Sequence, residues 1–299
     1  MIFGVLSGFA AAFLQSCSYL FSKRYVARFE QTTTGLLVCG HVIMGIFSLL
    51  LLPLVWPAEM PGFARYALPL SGCVFFYLFG QAFLFLSFRE SDASRVSPLL
   101  GLKIMMLAAI TVIFTNQHFH ALQWLAIVIG VCAAYLLSML GREMTPKNWV
   151  WVLLACLCYS ISDLSIKVII GRFENIGLFH ASVLCVCLCY FFCGIAACAA
   201  LLFLPRPSIS KWKVSFPFAL FWYTGILFLF ACFGSIGVVF GNIVQSTRGV
   251  ISILMGSYVA ARGYEHIEEK VRPRVVIVRL CAGILMIAAI ALFYAGQKG

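Results

Sequence analysis

Long apolar stretches separated by short polar turns run along the whole chain. Each stretch is about 20 residues long, the length that an α-helix needs to cross the hydrocarbon core of a bilayer. Because these stretches are apolar nearly all round, their periodicity does not show which helix face is buried. The pattern predicts ten membrane-spanning helices, at residues 2–21, 34–55, 67–88, 94–114, 121–140, 148–169, 177–204, 217–239, 242–261 and 276–295.

The composition supports a membrane protein. Of the 299 residues, 63% are hydrophobic and 10% are charged, whereas a soluble domain is about 45–50% apolar and about 25% charged. An ordinary soluble protein, a disordered chain and a nucleic-acid-binding module are therefore excluded. The net charge of +11 comes from basic residues between spans, where they face anionic lipid headgroups.

The chain shows no signature of an enzyme, a cofactor or a metal site. It has no P-loop and no G-x-S-x-G, H-E-x-x-H or G-x-G-x-x-G motif, so we predict no enzymatic activity and no coupled ATP hydrolysis. Most of the 13 cysteines lie inside apolar stretches without metal-ligand spacing, and we expect them to act as small apolar residues. The N-terminal stretch lacks a basic segment and a cleavage site, so we interpret it as the first span.

The two halves of the chain repeat each other. Residues 15–30 and 159–174 share two serines, a leucine, a lysine and the triplet Arg-Phe-Glu at a constant offset of 144. A second match, at an offset of 153, pairs Ser94-Arg95 with Thr247-Arg248 and Gly130 with Gly283. We therefore divide the chain into repeats at 1–140 and 148–299, joined by 141–147, and place about nine extra residues around span seven.

Each repeat holds five spans, and this odd number determines the orientation of the second copy. The second copy enters the membrane from the opposite side, so we predict two inverted five-helix repeats. Secondary transporters commonly have this architecture, with the substrate near the midplane between copies that exchange conformations.

The segment at residues 85–100, FLSFRESDASRVSPLL, is a short Ser-rich turn leading into a span with an early proline. It resembles the junction of spans three and four in EamA-like members of the drug/metabolite transporter superfamily. The resemblance covers the whole chain and implies a ten-helix transporter that exports small metabolites. It also implies that both termini lie inside, whereas the 14 basic residues on odd loops against four on even loops favour termini outside.

Charged residues inside spans are costly and usually functional. Lys103 lies about 10 Å deep in span four, where it either reaches the interface, pairs with another helix or binds a substrate carboxylate or phosphate. Asp163 and Lys167 are four residues apart on span six, which suggests an internal ion pair. The alternative is that Asp163, whose repeat partner is Tyr19, couples transport to protons.

A second cationic candidate lies on span nine. Arg248 follows Asn242 and Gln245, and an arginine can bind a carboxylate or phosphate with two hydrogen bonds. We assign its repeat partner Arg95 to the interface. Two cationic candidates against one paired acid suggest an anionic or zwitterionic substrate.

Other polar side chains either line a wet cavity or join helices by hydrogen bonds. They lie on spans one, three and six, and are Gln15, Ser18, Gln81, Tyr159 and Ser162. Two aromatic side chains on span eight also have two interpretations. Trp222 and Tyr223 either stack on a planar substrate or face lipid, and we expect His41 and His180 to be packed helix residues.

We therefore predict a secondary transporter of small polar metabolites, such as amino acids, their derivatives or organic anions. Export is expected over uptake, a proton is a candidate coupling ion, and the compact loops favour a bacterial inner membrane. The alternatives are a flippase for a lipid-linked substrate and a scaffold protein in which polar residues only join helices. The sequence gives no indication of the oligomeric state.

Overall fold

The structure, a computed structural model, describes residues 1–29, 33–88, 96, 99–115, 118–138, 144–262 and 273–296. Within these ranges the chain folds as α-helices joined by short turns, without a β-strand. The first half contains α1 (Ile2–Phe29), α2 (Thr33–Val55), α3 (Ala64–Phe88), α4 (Lys103–Thr115) and α5 (Ala121–Ser138). The second half contains α6 (Pro146–Gly171), α7 (Leu178–Leu201), α8 (Ile209–Ile236), α9 (Val238–Ser246), α10 (Arg248–Ala261) and α11 (Pro273–Gly296).

The protein is an all-α polytopic membrane protein, as predicted. By length and composition, seven of the described helical stretches can cross a membrane, with α9 and α10 contributing one of them jointly. Predicted spans four, five and ten correspond to shorter apolar helices, at Leu100–Phe114, Ala121–Leu136 and Leu280–Gly296.

The turn before span eight is shorter than its prolines and basic residues suggest. We expected a linker over 205–216, but α8 begins at Ile209, directly after Ser208, and continues through Pro217. A membrane helix tolerates such a proline because neighbouring groups can satisfy the freed carbonyl. Residues 89–95, 97 and 98 of the family-like junction, 141–143 of the inter-repeat segment and 263–272 of the last linker lie outside the described residues.

Helices from the two halves pack against each other in pairs. α1 runs along α8, α3 along α6, α2 along α7 and α5 along α11. Exchanging α1 with α6 and α3 with α8 leaves this set of pairs unchanged, as a two-fold relation between the repeats requires. The inversion of the repeats across the membrane stays a prediction.

Individual hydrogen bonds have counterparts in the two halves. The Ser18 hydroxyl donates to the carbonyl of Phe218 at 2.9 Å, and the Ser162 hydroxyl donates to that of Cys73 at 3.0 Å. Ser16 donates to the carbonyl of Arg248 at 3.2 Å, and its repeat partner Ser160 donates to that of Lys103 at 3.4 Å. The counterpart of Arg248 is therefore Lys103.

This pairing corrects the register that the sequence suggested. Arg95, the partner assigned to Arg248, lies outside the described residues, and Lys103 takes its role at an offset of 145. The offset is 153 at Gly130 and Gly283, whose Cα positions face Ile104 in α4 and Val250 in α10. Most of the extra length of the second half therefore lies between Arg248 and Gly283, and the placement around span seven was wrong.

In both halves an α-helix starts at a cationic residue. In the first half a 3₁₀ turn at Leu100–Leu102 leads into α4, whose first residue is Lys103. In the second half α9 ends at Ser246, and α10 starts at Arg248. Interrupted helices of this kind place polar groups at membrane depth in transporters.

Candidate functional site

The first polar cluster joins α4, α6 and α9. Lys103 Nζ lies 3.0 Å from Asp163 Oδ2, and the two side chains are 18% and 9% exposed. The Asn242 amide Nδ2 donates to the same carboxylate oxygen at 2.9 Å and to the carbonyl of Val238 at 2.9 Å. The carboxylate thus receives one cationic donor from the first half and one amide donor from the second.

The expected ion pair between Asp163 and Lys167 is not formed. Asp163 is buried, whereas Lys167 is exposed and its Nζ donates to the carbonyl of Gly234 in α8 at 2.8 Å. Residues four apart share a helix face, but here Lys103 reaches the carboxylate from across the helix interface. The interhelical pair, one of the alternatives for Lys103, is the one that the structure shows.

The second polar cluster joins α1, α9 and α10. Arg248 Nη1 donates to Gln15 Oε1 at 2.6 Å, and its guanidinium carbon lies 5.3 Å from the centre of the Tyr19 ring. Gln245 Nε2 donates to the same Gln15 oxygen at 2.7 Å. Among the described residues, the partners of this guanidinium therefore include no carboxylate.

Three polar atoms of these clusters are buried and have no hydrogen-bond partner among the described residues. They are Gln15 Nε2, Asn242 Oδ1 and Gln245 Oε1. Leaving such a group unsatisfied costs about 1–3 kcal/mol, so native proteins seldom do so without a functional reason. Two acceptors and one donor therefore accompany the two cations between the halves.

Aromatic rings connect the two clusters. Lys103 Nζ lies 5.8 Å from the centre of the Tyr159 ring, which lies 6.4 Å from that of Tyr77. Tyr77 and Tyr190 are 5.7 Å apart, and the Tyr190 hydroxyl accepts from the Trp222 indole at 2.9 Å. Trp222 in turn contacts Tyr19 edge-on at 5.9 Å, so rings lead from Lys103 to Arg248 without interruption.

Comparison with known protein families finds a match in the first half of the sequence. The model of the EamA-like transporter family matches residues 2–139, which is nearly half of the chain and corresponds to the first predicted repeat. Over these residues the chain is an EamA-like transporter sequence, of the drug/metabolite transporter superfamily. No curated protein matches the sequence.

The fold of this transporter is similar to that of a protein of known crystal structure. The superposition has a TM-score of 0.69 and covers 97% of this chain and 95% of the other, at 15% sequence identity. At this identity the likeness shows the fold alone.

Of the remaining predicted site residues, Ser18 and Ser162 form interhelical hydrogen bonds, whereas Gln81 bonds to a residue of its own helix, α3. Ser18 and Ser162 bind backbone carbonyls of the neighbouring helix, which is the helix-joining alternative. Gln81 Nε2 donates to the Tyr77 hydroxyl at 3.0 Å, and His41 Nε2 lies 3.0 Å from the same hydroxyl. Through Tyr77, Gln81 is thus joined to the series of aromatic rings that connects the two clusters.

Several aromatic and imidazole groups differ from the expectation. Trp222 and Tyr223 are 9% and 3% exposed, so the lipid-facing interpretation was wrong for both. His41 is buried, as expected, but His180 is exposed, and its predicted packing was wrong. Tyr77 and Tyr190 were missed because an aromatic residue within a uniformly apolar helix carries no signal of its partners.

The residues that line two cavities of the transporter do not belong to these clusters. One, of 390 Å³, is wholly apolar and lies between α4 and α6 at residues such as Met106, Ile110 and Leu157. The other, of 660 Å³, lies between the α2–α3 turn and the end of α6 and includes Arg65 and Glu174. Among the described residues no group of three or more His, Cys, Asp or Glu side chains is arranged to hold a metal ion.

Proposed function

We propose that the protein is a secondary active transporter that exports small polar metabolites by alternating access between its two repeats. The candidate cargo comprises amino acids, their derivatives and organic anions. The observation that carries this proposal is the set of buried, unpartnered polar atoms, Gln15 Nε2, Asn242 Oδ1 and Gln245 Oε1. They accompany two cations at the boundary between the halves, where transporters of repeated architecture bind substrate.

Asp163 supports coupling to protons as part of this proposal. Its carboxylate compensates the charge of Lys103 at 3.0 Å. Protonation of the carboxylate would leave the buried ammonium without a counter-charge, which is unfavourable in a low-dielectric site. A conformation in which Lys103 meets water or an anionic substrate would then be favoured. We place the protein in a bacterial inner membrane, where a proton gradient is available.

Flux through purified protein tests the proposal. Proteoliposomes loaded with a mixture of amino acids and organic acids are diluted into buffer, and efflux is followed by mass spectrometry with and without a proton gradient. We expect specific solutes to leave with wild type and to be retained with Arg248→Ala and Lys103→Ala. Thr224→Ala is the control, because its exposed hydroxyl binds only the carbonyl of Leu220 in its own helix.

Two outcomes count against this account. If no solute leaves wild-type proteoliposomes faster than empty ones, metabolite transport is wrong. If both cation variants transport as fast as Thr224→Ala, the site assignment is wrong and the polar residues only join helices.

One observation favours a second candidate, a flippase for a lipid-linked substrate. The apolar 390 Å³ cavity between α4 and α6 begins at Met106, one turn after Lys103, so an acyl chain there could accompany a headgroup at the cation. Translocation of a fluorescent anionic lipid, measured by its bleaching with dithionite, separates the two functions. Lipid translocation without solute efflux would replace the transporter proposal by the flippase.

A further inference from the structure

The two cationic sites present the same kinds of hydrogen-bond donor. At the first site, Asp163 Oδ2 accepts from the Lys103 ammonium at 3.0 Å and from the Asn242 amide at 2.9 Å. At the second site, Gln15 Oε1 accepts from the Arg248 guanidinium at 2.6 Å and from the Gln245 amide at 2.7 Å. Each site therefore combines one cation with one carboxamide N–H₂ group.

The equivalence of the two sites follows from backbone contacts. Ser16 and Ser160 are repeat partners, and their hydroxyls bind the carbonyls of Arg248 and Lys103. Gly225 and Gly80 show the same relation, because a Cβ at Gly225 would contact Gln15 and one at Gly80 would contact its repeat partner Tyr159.

The sites differ in the carboxylate. The repeat partner of Asp163 is Tyr19, whose ring lies below the Arg248 guanidinium at 5.3 Å. The amide nitrogen of Gln15, the residue whose oxygen accepts from Arg248 and Gln245, is buried and has no partner among the described residues. The second site thus has donors like those of the first, but its protein acceptor is a neutral amide oxygen, so the charge of Arg248 is not compensated there.

We propose that the carboxylate of the substrate binds Arg248 and Gln15 Nε2 in the way that Asp163 binds Lys103 and Asn242. This inference rests on the proposed function and names its substrate class, a small molecule with a carboxylate. The protein supplies a charged acceptor at the first site and only a neutral one at the second. Tyr19 offers its ring to the guanidinium.

The charges favour a monoanionic group over a phosphate at Arg248. Lys103 is already neutralised by Asp163, so the second site offers one unit of positive charge. A doubly charged phosphate would keep one buried negative charge without a counter-charge, which is costly. A carboxylate matches both the single charge and the planar, forked geometry of the guanidinium.

Supplying the missing carboxylate from the protein tests this inference. Tyr19→Asp places an acid where Asp163 stands in the other repeat, so it should occupy Arg248 and exclude the ligand. Tyr19→Asn is the matched control, since both variants lose the ring and only one adds a charge. Thermal unfolding in detergent is measured with acetate, succinate and glycine, and with acetamide, succinamide and glycinamide as neutral probes.

We expect at least one carboxylate, and not its amide, to raise the unfolding temperature of wild type. The apparent affinity for that carboxylate should be lower in Tyr19→Asp than in Tyr19→Asn by about tenfold or more, the value of a charged hydrogen bond. Without ligand, Tyr19→Asp should unfold at a temperature no lower than that of Tyr19→Asn, because its carboxylate pairs with Arg248.

The outcomes separate this inference from the proposed function. Equal carboxylate affinity in the two variants, or no preference of wild type for carboxylates over amides, overturns the inference even if solutes are transported. Selective carboxylate binding that is lost in Tyr19→Asp, without flux in proteoliposomes, upholds the site and overturns the transport function.

Discussion

The two halves of the molecule place a cation at equivalent positions and surround it differently. Lys103 meets a carboxylate, Asp163, whereas Arg248 meets an amide and a tyrosine ring. The backbone contacts that hold the two cations are matched, serine by serine. The difference therefore lies in a few side chains on a shared scaffold, and it leaves positive charge uncompensated at one site only among the described residues.

This comparison shows that two halves with matched backbone contacts can hold sites of different chemistry. The ion pair of Lys103 and Asp163 gives one site an internal ligand, so it is suited to coupling or to holding the halves together. The Arg248 site keeps unpartnered polar atoms, so it is suited to binding. A symmetric pair of empty sites would gather two buried positive charges, which a low-dielectric interior does not tolerate.

Breaking the ion pair should have the largest effect on stability. Asp163→Asn keeps the shape of the side chain but leaves the Lys103 ammonium without a counter-charge. We expect a loss of about 3 kcal/mol, at the lower end of the range for buried pairs, because Lys103 is 18% exposed. Thermal and denaturant unfolding in detergent measure it.

The second member of the pair provides the control for that loss. Adding Lys103→Met to Asp163→Asn removes the unpaired charge, so most of the stability should return. If the double variant is less stable than Asp163→Asn alone, the two residues do not act as a pair.

A smaller effect is expected where α2 and α7, from the two halves, approach most closely. A Cβ at Gly45 in α2 would lie 2.8 Å from the Gly194 Cα in α7, and one at Gly194 would lie 2.7 Å from the Gly45 Cα. Gly45→Ala and Gly194→Ala should each lower the free energy of unfolding by about 1–3 kcal/mol, because the two helices must separate. The two losses should be similar.

Gly130→Ala is the matched control for these glycines, since its Cβ would meet Ile104 only at 3.8 Å. Its unfolding temperature should stay close to that of wild type. Unequal losses at Gly45 and Gly194 would argue against the two-fold relation of α2 and α7.

The smallest effect is expected from the loss of a single hydrogen bond between the halves. Ser18→Ala and Ser162→Ala each remove a hydroxyl that binds a carbonyl of the opposite half, at 2.9 Å and 3.0 Å. Interhelical hydrogen bonds in membranes contribute about 0.6 kcal/mol on average, so we expect two small and similar losses of unfolding free energy. A loss at one serine alone would show that the repeats are not equivalent there.

The helices could be predicted from the sequence because they depend on local composition. Apolar stretches located the spans, whereas the duplication suggested by the shared residues around Ser16 and Ser160 stays a prediction. The residues of both polar clusters, from Gln15 to Arg248, were identified as candidates because polar groups within spans are rare.

The partners of these residues could not be predicted, since they depend on how helices pack. The spacing of Asp163 and Lys167 suggested a pair on one helix face, but helix orientation turns Lys167 outward and brings Lys103 to the carboxylate. The match of Arg95 with Arg248 failed because the repeats differ in length, and the offset of 145 emerged only from contacts. The start of α8 was placed at 217 because residues 205–216 hold two prolines and three basic residues, whereas the helix already begins at Ile209.

The most direct test of the central claim asks which cation binds the substrate. Arg248→Gln is compared with the double variant Lys103→Met, Asp163→Asn for equilibrium binding of the carboxylates and amides named above. The account predicts that Arg248→Gln loses selectivity for carboxylates, whereas the double variant retains it. Retained selectivity in Arg248→Gln, with its loss in the double variant, would contradict the account and assign the substrate to Lys103.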